Sequence, residues 1–347
     1  MTSEKNETKL RMITVSGDHY TAGYKIGQKT APEIRRILEL SGEQVKKQDP
    51  SLRKKYSAMF LNLVKDAAPD ILDELRGVAD GAGANFDELF MFNLKELETL
   101  AKQRLPESEN CTTIIKPKED RVLVGHNEDG DHNNDLFLLK AKIGDNPRFL
   151  ALCYHGWLPG AAAAVNSAGL FQTINNIFST DVRVGLPLLF HARTALGAKG
   201  IEEAEEVITA RKRARGENFI FYKGNTCRNI ETSATRHKTR DVTVPYVHTN
   251  HYIEKDMLPM QLKIPPEKAS TLQRSARAQK LVREQDDIDL DTIKRILADH
   301  ANEPRSICLH RFLHLRTLGS VLFDTSKKEL HISRGLPCKA RYYTYAL

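Results

Sequence analysis

The chain of 347 residues is poor in the features that would assign it quickly to a class. No apolar run reaches the roughly 18 to 20 residues needed to cross a bilayer. The polar start, MTSEKNETKL, lacks the apolar segment of a secretory signal. The terminal Tyr345-Ala346-Leu347 is a poor peroxisomal tripeptide. A soluble, cytoplasmic protein without a membrane partner is expected. The five cysteines, Cys111, Cys153, Cys227, Cys308 and Cys338, are odd in number, widely spaced and form no CxxC pair. That pattern argues against a disulfide framework and against a zinc site, and leaves at least one free thiol. There is no internal repeat and no low-complexity linker, and the length is enough to bury a full core, so one domain of sheets covered by helices is the simplest architecture.

The net charge is +7, and the densest basic cluster is Arg211-Lys212-Arg213-Ala214-Arg215. Basic residues are otherwise spread along the chain without aromatic interleaving. The cluster follows an amphipathic run from Ile201 to Ala210, which makes a solvated helix end the expected reading and leaves no basis for a nucleic-acid partner.

The first hundred residues read as mostly helical. A short apolar strand at 12–16 precedes a helical pattern from Asp18 to Lys47, in which Gly23 and Gly27 lie on one face and suggest a tight packing contact rather than a phosphate cradle. Helices follow from Pro50 to Ala67 and from Pro69 to Asp80, each opening on a first-turn proline, with Gly81-Ala82-Gly83 as the stop. Another helix is expected from Asn85 through Met91 toward Leu100. After Cys111 the pattern changes to short strands at 111–115, 121–125, 135–142, 148–154, 160–165 and 169–177, an antiparallel signature. A helical block at 188–215, strands at 217–222, 227–232 and 243–247, helices at 270–285 and 289–299, and strands at 318–324 and 329–333 complete the chain.

The stretch that carries chemistry is Asn110-Cys111-Thr112-Thr113, followed by Gly125-His126-Asn127-Glu128-Asp129. Arg104 to Asn110 reads as a loop, so Cys111 sits where loop becomes strand. A thiol there can attack the carbonyl before it, free a new N-terminus, and then use its own α-amine as general base. The unperturbed pKa of such an amine, about 7.7 to 8, suits that role. Asp129 would return on the neighbouring strand to hold the amine.

Seven segments together resemble the acyl-CoA:isopenicillin N acyltransferase family of N-terminal nucleophile hydrolases, which includes β-alanyl amine hydrolases. They are Tyr20 to Gly27, Leu75 to Ala82, Asn110 to Thr113, Gly125 to Asp129, Asn166 to Leu170, His248-Thr249-Asn250-His251 and Ser306 to Cys308, in the family's order. The resemblance implies an α+β fold, an αββα sandwich of two antiparallel sheets flanked by helices. It also implies self-cleavage before Cys111 into an α segment, 1–110, and a β segment, 111–347. These would remain together as a heterodimer in one domain. The family commonly has glycine before the nucleophile. Asn110 departs from this, and its Cβ predicts cleavage that is slow, incomplete or differently triggered.

The resemblance implies roles residue by residue. Cys111 would be the nucleophile and Asp129 the holder of its amine, with a turn or strand-end carboxylate as the alternative for Asp129. Asn250 would donate its side-chain amide to the oxyanion, unless it only closes a strand-end turn. Asn175 or Asn176 would line the pocket and supply a second oxyanion donor. Arg316 is the nearest candidate, by position, for an arginine beside the nucleophile, with a surface arginine as the alternative. Thr112 and Thr113 would set strand geometry or assist cleavage, and His126, at a variable position of the motif, receives no catalytic role. His248 and His251 at a spacing of three could suggest a metal, but no third ligand is indicated, so neither metal nor cofactor is expected.

The expected activity is hydrolysis of a small-molecule N-acyl or aminoacyl amide through a thioester acyl-enzyme. Acyl transfer to an amine is the alternative, and an unprocessed scaffold of the same fold is the non-enzymatic one. Glu128, Asp131 and Asp135 suggest a cationic acyl group, such as β-alanyl, or else a solvated acidic turn.

Overall fold

A computed structural model describes residues 9–45, 49–100, 111–210 and 212–347. The N-terminal part opens with β1 (Met12–Gly17), in which Ile13 and Val15 turn inward while Met12, Thr14 and Ser16 face out. Four helices and one helical turn follow in the order α1 (His19–Val45), α2 (Pro50–Ala67), α3 (Pro69–Ala82), α4 (Phe86–Phe92) and α5 (Leu97–Leu100). Their starts are written locally: Asp49 accepts from the Ser51 N–H at 2.8 Å and Asn85 from the Glu88 N–H at 3.1 Å. Helix α3 runs through Gly81 and ends only at Gly83, whose left-handed φ of 61° closes it. Gly81 has a different use. A Cβ added at Gly23, Gly27, Gly77 or Gly81 would lie 2.0, 2.1, 2.2 or 2.0 Å from a carbonyl oxygen of the facing helix. Helices α1 and α3 therefore meet backbone to backbone, and the packing reading of Gly23 and Gly27 holds.

The rest of the chain supplies β2 (Thr112–Pro117), β3 (Val122–Asp131), β4 (Leu136–Ile143), β5 (Phe149–Tyr154), β6 (Ala164–Asn166) and β7 (Phe171–Asn176). Then come α6 (Leu188–Ala195), α7 (Ile201–Thr209), β8 (Glu217–Lys223), β9 (Thr226–Thr232), β10 (His237–Asp241) and β11 (Tyr246–His248). The chain closes with α8 (Thr271–Arg283), α9 (Leu290–Leu297), β12 (Leu315–Asp324), β13 (Glu329–Arg334) and β14 (Tyr342–Ala346). One sheet has eight strands in the order β1-β4-β5-β6-β7-β8-β9-β10, the other six in the order β11-β2-β3-β12-β13-β14.

The layers follow from which face of each strand is apolar. Between the sheets, Ile115, Val124 and Phe323 pack against Leu138, Leu152 and Phe171, and the rings of Phe171 and Phe323 stack at 4.6 Å. On the outer face of the eight-stranded sheet, Leu139 and Phe221 meet the helices through Leu75, Phe90 and Phe190. On the outer face of the six-stranded sheet, Ile114 and Leu322 meet Ala278 of α8 and Ile293 of α9. This is an αββα sandwich, two packed sheets flanked by helices on both sides.

Five local expectations change, the first being the helix expected from Asn85 toward Leu100, which breaks between α4 and α5. Strand β1 pairs parallel with β4, an exception in otherwise antiparallel ladders, because it arrives through the crossover made by the N-terminal helices. Strands β10 and β14 were not anticipated; β10, His-Lys-Thr-Arg-Asp, is an edge strand without a buried residue and carries no apolar alternation. The helical block at 188–215 breaks between α6 and α7. The arginine cluster is not a solvated helix end: Arg213 and Arg215 are buried. Arg213 donates to the carbonyls of Ile208, Thr209, Ser233 and Arg236, and Arg215 pairs with Glu217 at 2.8 Å. At the end of α7, the Ile208 and Thr209 carbonyls, left without helical partners, draw the Arg213 guanidinium inward.

Candidate active site

Cys111 lies at the foot of β2, 4% exposed, and its thiol is free of any disulfide. Asn110 and the loop expected at 104–110 lie outside the described residues. The β2–β3 ladder pairs Thr112 with Asn127 and Thr113 with His126. Because side chains alternate along a strand, this register sorts the neighbours of Cys111 into two groups. His126 and Glu128 share the face toward the second sheet. Asn127 and Asp129 point the other way, toward α8 and α9.

On the helix side, Arg274 of α8 organises the site. It is fully buried. Its Nη1 donates to the Cys111 carbonyl at 2.6 Å and to Thr112 Oγ1 at 2.7 Å, its Nη2 to Asn250 Oδ1 at 2.7 Å, and its Nε to Ser270 Oγ at 3.1 Å. Burial pulls the guanidinium below its ordinary pKa, while Asp129 and Cys111 push it back up. Asn250 Oδ1 also accepts the Cys111 backbone N–H at 2.9 Å. One Asn250 Nδ2 hydrogen goes to the Asn176 carbonyl at 3.0 Å, which leaves the second for another acceptor.

Asn250 is held by its own motif. His248 engages the Thr249 carbonyl through Nδ1 at 2.7 Å and Glu231 through Nε2 at 2.9 Å. Glu231 also accepts from the Ile253 N–H at 2.8 Å and the Glu254 N–H at 3.1 Å. Both ring nitrogens of His248 are thus turned to oxygen partners that fix the ring. His251 bonds Thr271 Oγ1 at 2.9 Å, and burial, with His248 and Arg274 adding, pushes it down to about 4. The two histidines brace a turn.

Asp129 is buried on β3, opposite Thr317 of β12. Thr317 Oγ1 donates to its Oδ1 at 2.5 Å, and its Oδ2 is buried without a hydrogen-bond partner among the described residues. Burial pushes this carboxyl up to about 7, against the pull of Arg274 and Thr317 and with a further push from Glu128. An orphaned acceptor of this kind costs free energy until a cation or donor meets it.

On the inter-sheet side, a ring nitrogen of His126 and a carboxylate oxygen of Glu128 lie within 4.8 Å of the Cys111 sulfur and of one another. Thr113 Oγ1 donates to Asn175 Oδ1 at 2.8 Å and meets His126 Nδ1 at 2.8 Å. Its one proton is thus spent on Asn175, so Nδ1 is the donor. His126 Nε2 and Glu128 Oε2 share a proton at 3.0 Å, and Tyr154 donates to Glu128 Oε1 at 2.6 Å. These bonds link His126, Glu128 and Tyr154 into a proton network beside the Cys111 sulfur.

Cys111, Thr112, Thr113, Asn175, Asn176 and Asn250 are brought together; Asp129 accepts from Thr317, and the Cys111 backbone N–H expected on Asp129 goes to Asn250 Oδ1. Arg316 is not brought in: it lies opposite Gly130 and is exposed. Between inward-facing Leu315 and Thr317, strand alternation sends it outward. The site arginine is Arg274, inside a helix whose sequence marks it no differently from its other arginines. Of the three carboxylates, only Glu128 is gathered beside Cys111. Asp131 accepts from the Asn133 N–H at 2.8 Å, and Asp135 pairs with Arg334 at 2.5 Å. Asn176 Oδ1 takes the Arg215 guanidinium, and Arg215 with Glu96, Phe178, Ser179 and Val182 lines a small cleft beside the site. Among the described residues no helix is long and apolar enough to cross a membrane.

The chain is similar to known proteins over most of its length. A beta-alanyl-dopamine/carcinine hydrolase of Drosophila melanogaster is 33% identical over 248 residues, 63% of this chain and 64% of the relative. Among solved structures, a conjugated bile acid hydrolase from Clostridium perfringens matches at 12% identity with a TM-score of 0.45, covering 68% of this chain and 97% of that one. A penicillin V acylase from Agrobacterium tumefaciens matches at 12% identity and a TM-score of 0.45, covering 68% and 86%. Residues 115–337, which take in Asp129, Asn250 and Arg274 and begin just after Cys111, match the acyl-coenzyme A:6-aminopenicillanic acid acyl-transferase family, and the chain belongs to it.

Proposed function

We propose that this chain is a self-processing cysteine amidohydrolase that cleaves a small aminoacyl amide through a thioester. The observation that carries the reading is the double hold on Cys111: its backbone N–H on Asn250 and its carbonyl on Arg274, at 2.9 and 2.6 Å. In self-cleavage the sulfur attacks the Asn110 carbonyl, the peptide C–N bond breaks, the thiol proton passes to the departing nitrogen, and water hydrolyses the thioester. At that stage the α-nitrogen is an amide and no base. The His126–Glu128 pair beside the sulfur takes the thiol proton: with Nδ1 carrying a hydrogen, the accepting atoms are His126 Nε2 and the Glu128 carboxylate.

After cleavage the new α-amine takes over. It accepts the thiol proton as sulfur attacks the substrate carbonyl, and returns it to the leaving amine as the C–N bond breaks. Water then releases the acid. The orphaned Oδ2 of Asp129 is a ready partner for the charged amine, and the second Nδ2 hydrogen of Asn250 for the oxyanion. The segments 9–100 and 111–347 stay joined because β1 is a strand of the larger sheet and buried Arg193 pairs with Glu74 at 2.8 Å.

For the substrate, Glu128 favours a cationic acyl group. In a β-alanyl amide the ammonium lies ~4 Å from the carbonyl carbon, and a Glu128 oxygen lies within 4.8 Å of the attacking sulfur. The Drosophila melanogaster relative acts on beta-alanyl-dopamine and carcinine by its name. Acyl transfer, the activity in the family's description, uses the same thioester with an amine replacing water.

Denaturing mass spectrometry with a screen of β-alanyl and acetyl amides tests the proposal. Two fragments split before Cys111 and turnover of β-alanyl amides are expected, with Cys111→Ala intact and inactive. An uncut wild-type chain that hydrolyses none of them refutes it.

A further inference from the structure

The cysteines that form no motif in the linear sequence meet elsewhere in the fold. His300 and the Cys308-Leu309-His310 stretch lie in the connection between α9 and β12, and Cys338 in the loop between β13 and β14. One donor atom from each of His300, Cys308, His310 and Cys338 falls within 4.8 Å of all the others. His310 Nε2 is 3.0 Å from His300 Nε2 and 3.3 Å from Cys338 Sγ. The two imidazoles stand edge to face at 4.7 Å and 86°. Cys308 is buried and the rest reach solvent.

We propose that these four side chains form a tetrahedral zinc site. With Zn–N of 2.0–2.1 Å and Zn–S of 2.3 Å, a tetrahedron sets nitrogens about 3.3 Å apart and nitrogen and sulfur about 3.6 Å apart. The distances above are a few tenths of an ångström shorter, so small outward shifts admit the ion. Hydrogen bonding alone gives little reason for the convergence, since thiols are weak donors and acceptors and two facing imidazole nitrogens share one proton. Two thiolates and two neutral imidazoles cancel the charge of Zn2+, and binding releases the two thiol protons. Four protein ligands leave no open position, so the site is structural and not catalytic.

Its place in the fold gives it a task. Leu309, between two ligands, clamps Thr317: the Leu309 N–H donates to Thr317 Oγ1 at 2.9 Å and its carbonyl accepts from the Thr317 N–H at 2.8 Å. The same hydroxyl donates to Asp129. Asn127 holds the other end of the loop through the Leu297 and Ile307 carbonyls at 2.9 and 3.0 Å. The ion ties the α9–β12 loop to the β13–β14 loop directly behind the carboxylate that faces the active site.

The test uses the full chain and its Cys111→Ala form, purified under reducing conditions, so that the outcome depends neither on cleavage nor on turnover. Elemental analysis after dialysis should find one zinc per chain, lost in Cys338→Ser and in His310→Ala, both at partly exposed loop positions. Cobalt(II) added to metal-free protein should give thiolate charge-transfer and tetrahedral ligand-field bands that Cys308→Ser abolishes. Chelation should lower the melting temperature of the parent and leave Cys338→Ser unchanged. A reduced chain that takes up neither zinc nor cobalt, a zinc content unaffected by both loop variants, or a Cys308–Cys338 disulfide in the alkylated protein overturns the proposal.

Discussion

Replacing Arg274 by methionine tests how the nucleophile end of β2 is held. The background is Cys111→Ala, which keeps the chain in one piece and retains the backbone carbonyl that Arg274 binds. Arg274 donates four hydrogen bonds from a fully buried position and is a cation acting on Asp129. Charge-assisted bonds contribute about 1.5–3 kcal/mol each, but all four belong to one guanidinium and do not add. At pH 8, where Asp129, with a pKa of about 7, is charged, the attraction between Arg274 and that carboxylate is lost as well, and the cost should exceed that of the hydrogen bonds alone by about 1–3 kcal/mol. At pH 5 Asp129 is protonated whether or not Arg274 is present. Only the hydrogen bonds are then lost, and the cost should fall to roughly 1.5–3 kcal/mol. Urea unfolding at the two pH values, with a cycle through Asp129→Asn, separates the parts. The coupling should be about 1–3 kcal/mol at pH 8 and close to zero at pH 5. A cost below about 1 kcal/mol at both pH values, or a coupling that does not change with pH, refutes this account of Arg274.

Asp129 itself sets a pH slope. Its folded pKa is raised, so its contribution to stability is present below the ordinary value near 3.8 and is lost as pH rises through about 7. In the uncut chain Asp129→Asn should therefore gain on its parent in melting temperature between pH 5 and pH 8, and a constant difference speaks against it. His126→Gln should slow self-cleavage by about 10² or more and affect hydrolysis by processed enzyme far less, read by following fragment appearance and turnover separately. Asn250→Ala should lower turnover on the order of 10² to 10³, and Glu128→Gln should erase any preference for β-alanyl over acetyl amides. Burial would raise Glu74, yet Arg193 and His19 hold it below its ordinary value, so the pair stabilises above the acid range and loses that stability as pH falls. Glu74→Ala strands a buried guanidinium and should cost about 3–5 kcal/mol in urea unfolding.

What could be read in the chain was local. The strand that starts after Cys111, the strand return that brings Gly125 to Asp129 beside it, the prolines opening α2 and α3, and the glycine face of α1 all rest on neighbours a few residues away. Periodicity and turn chemistry act at that range. The motif His248 to His251 also brought Asn250 to Cys111, 139 positions away. Arg316 was misplaced because proximity in sequence does not say which face of a strand a residue takes.

Tertiary packing alone decided the rest. Arg274, on a helix of ordinary composition, becomes the buried cation only because α8 lies across the start of β2. His126 and Glu128 reach the sulfur because the β2–β3 register puts them on its face. Two cysteines and two histidines from separate loops converge because adjacent strands of one sheet bring those loops to the same end. Local sequence sets the backbone states and apolar faces available to each segment, but a charge or ligand acquires its partners only when distant segments are packed together.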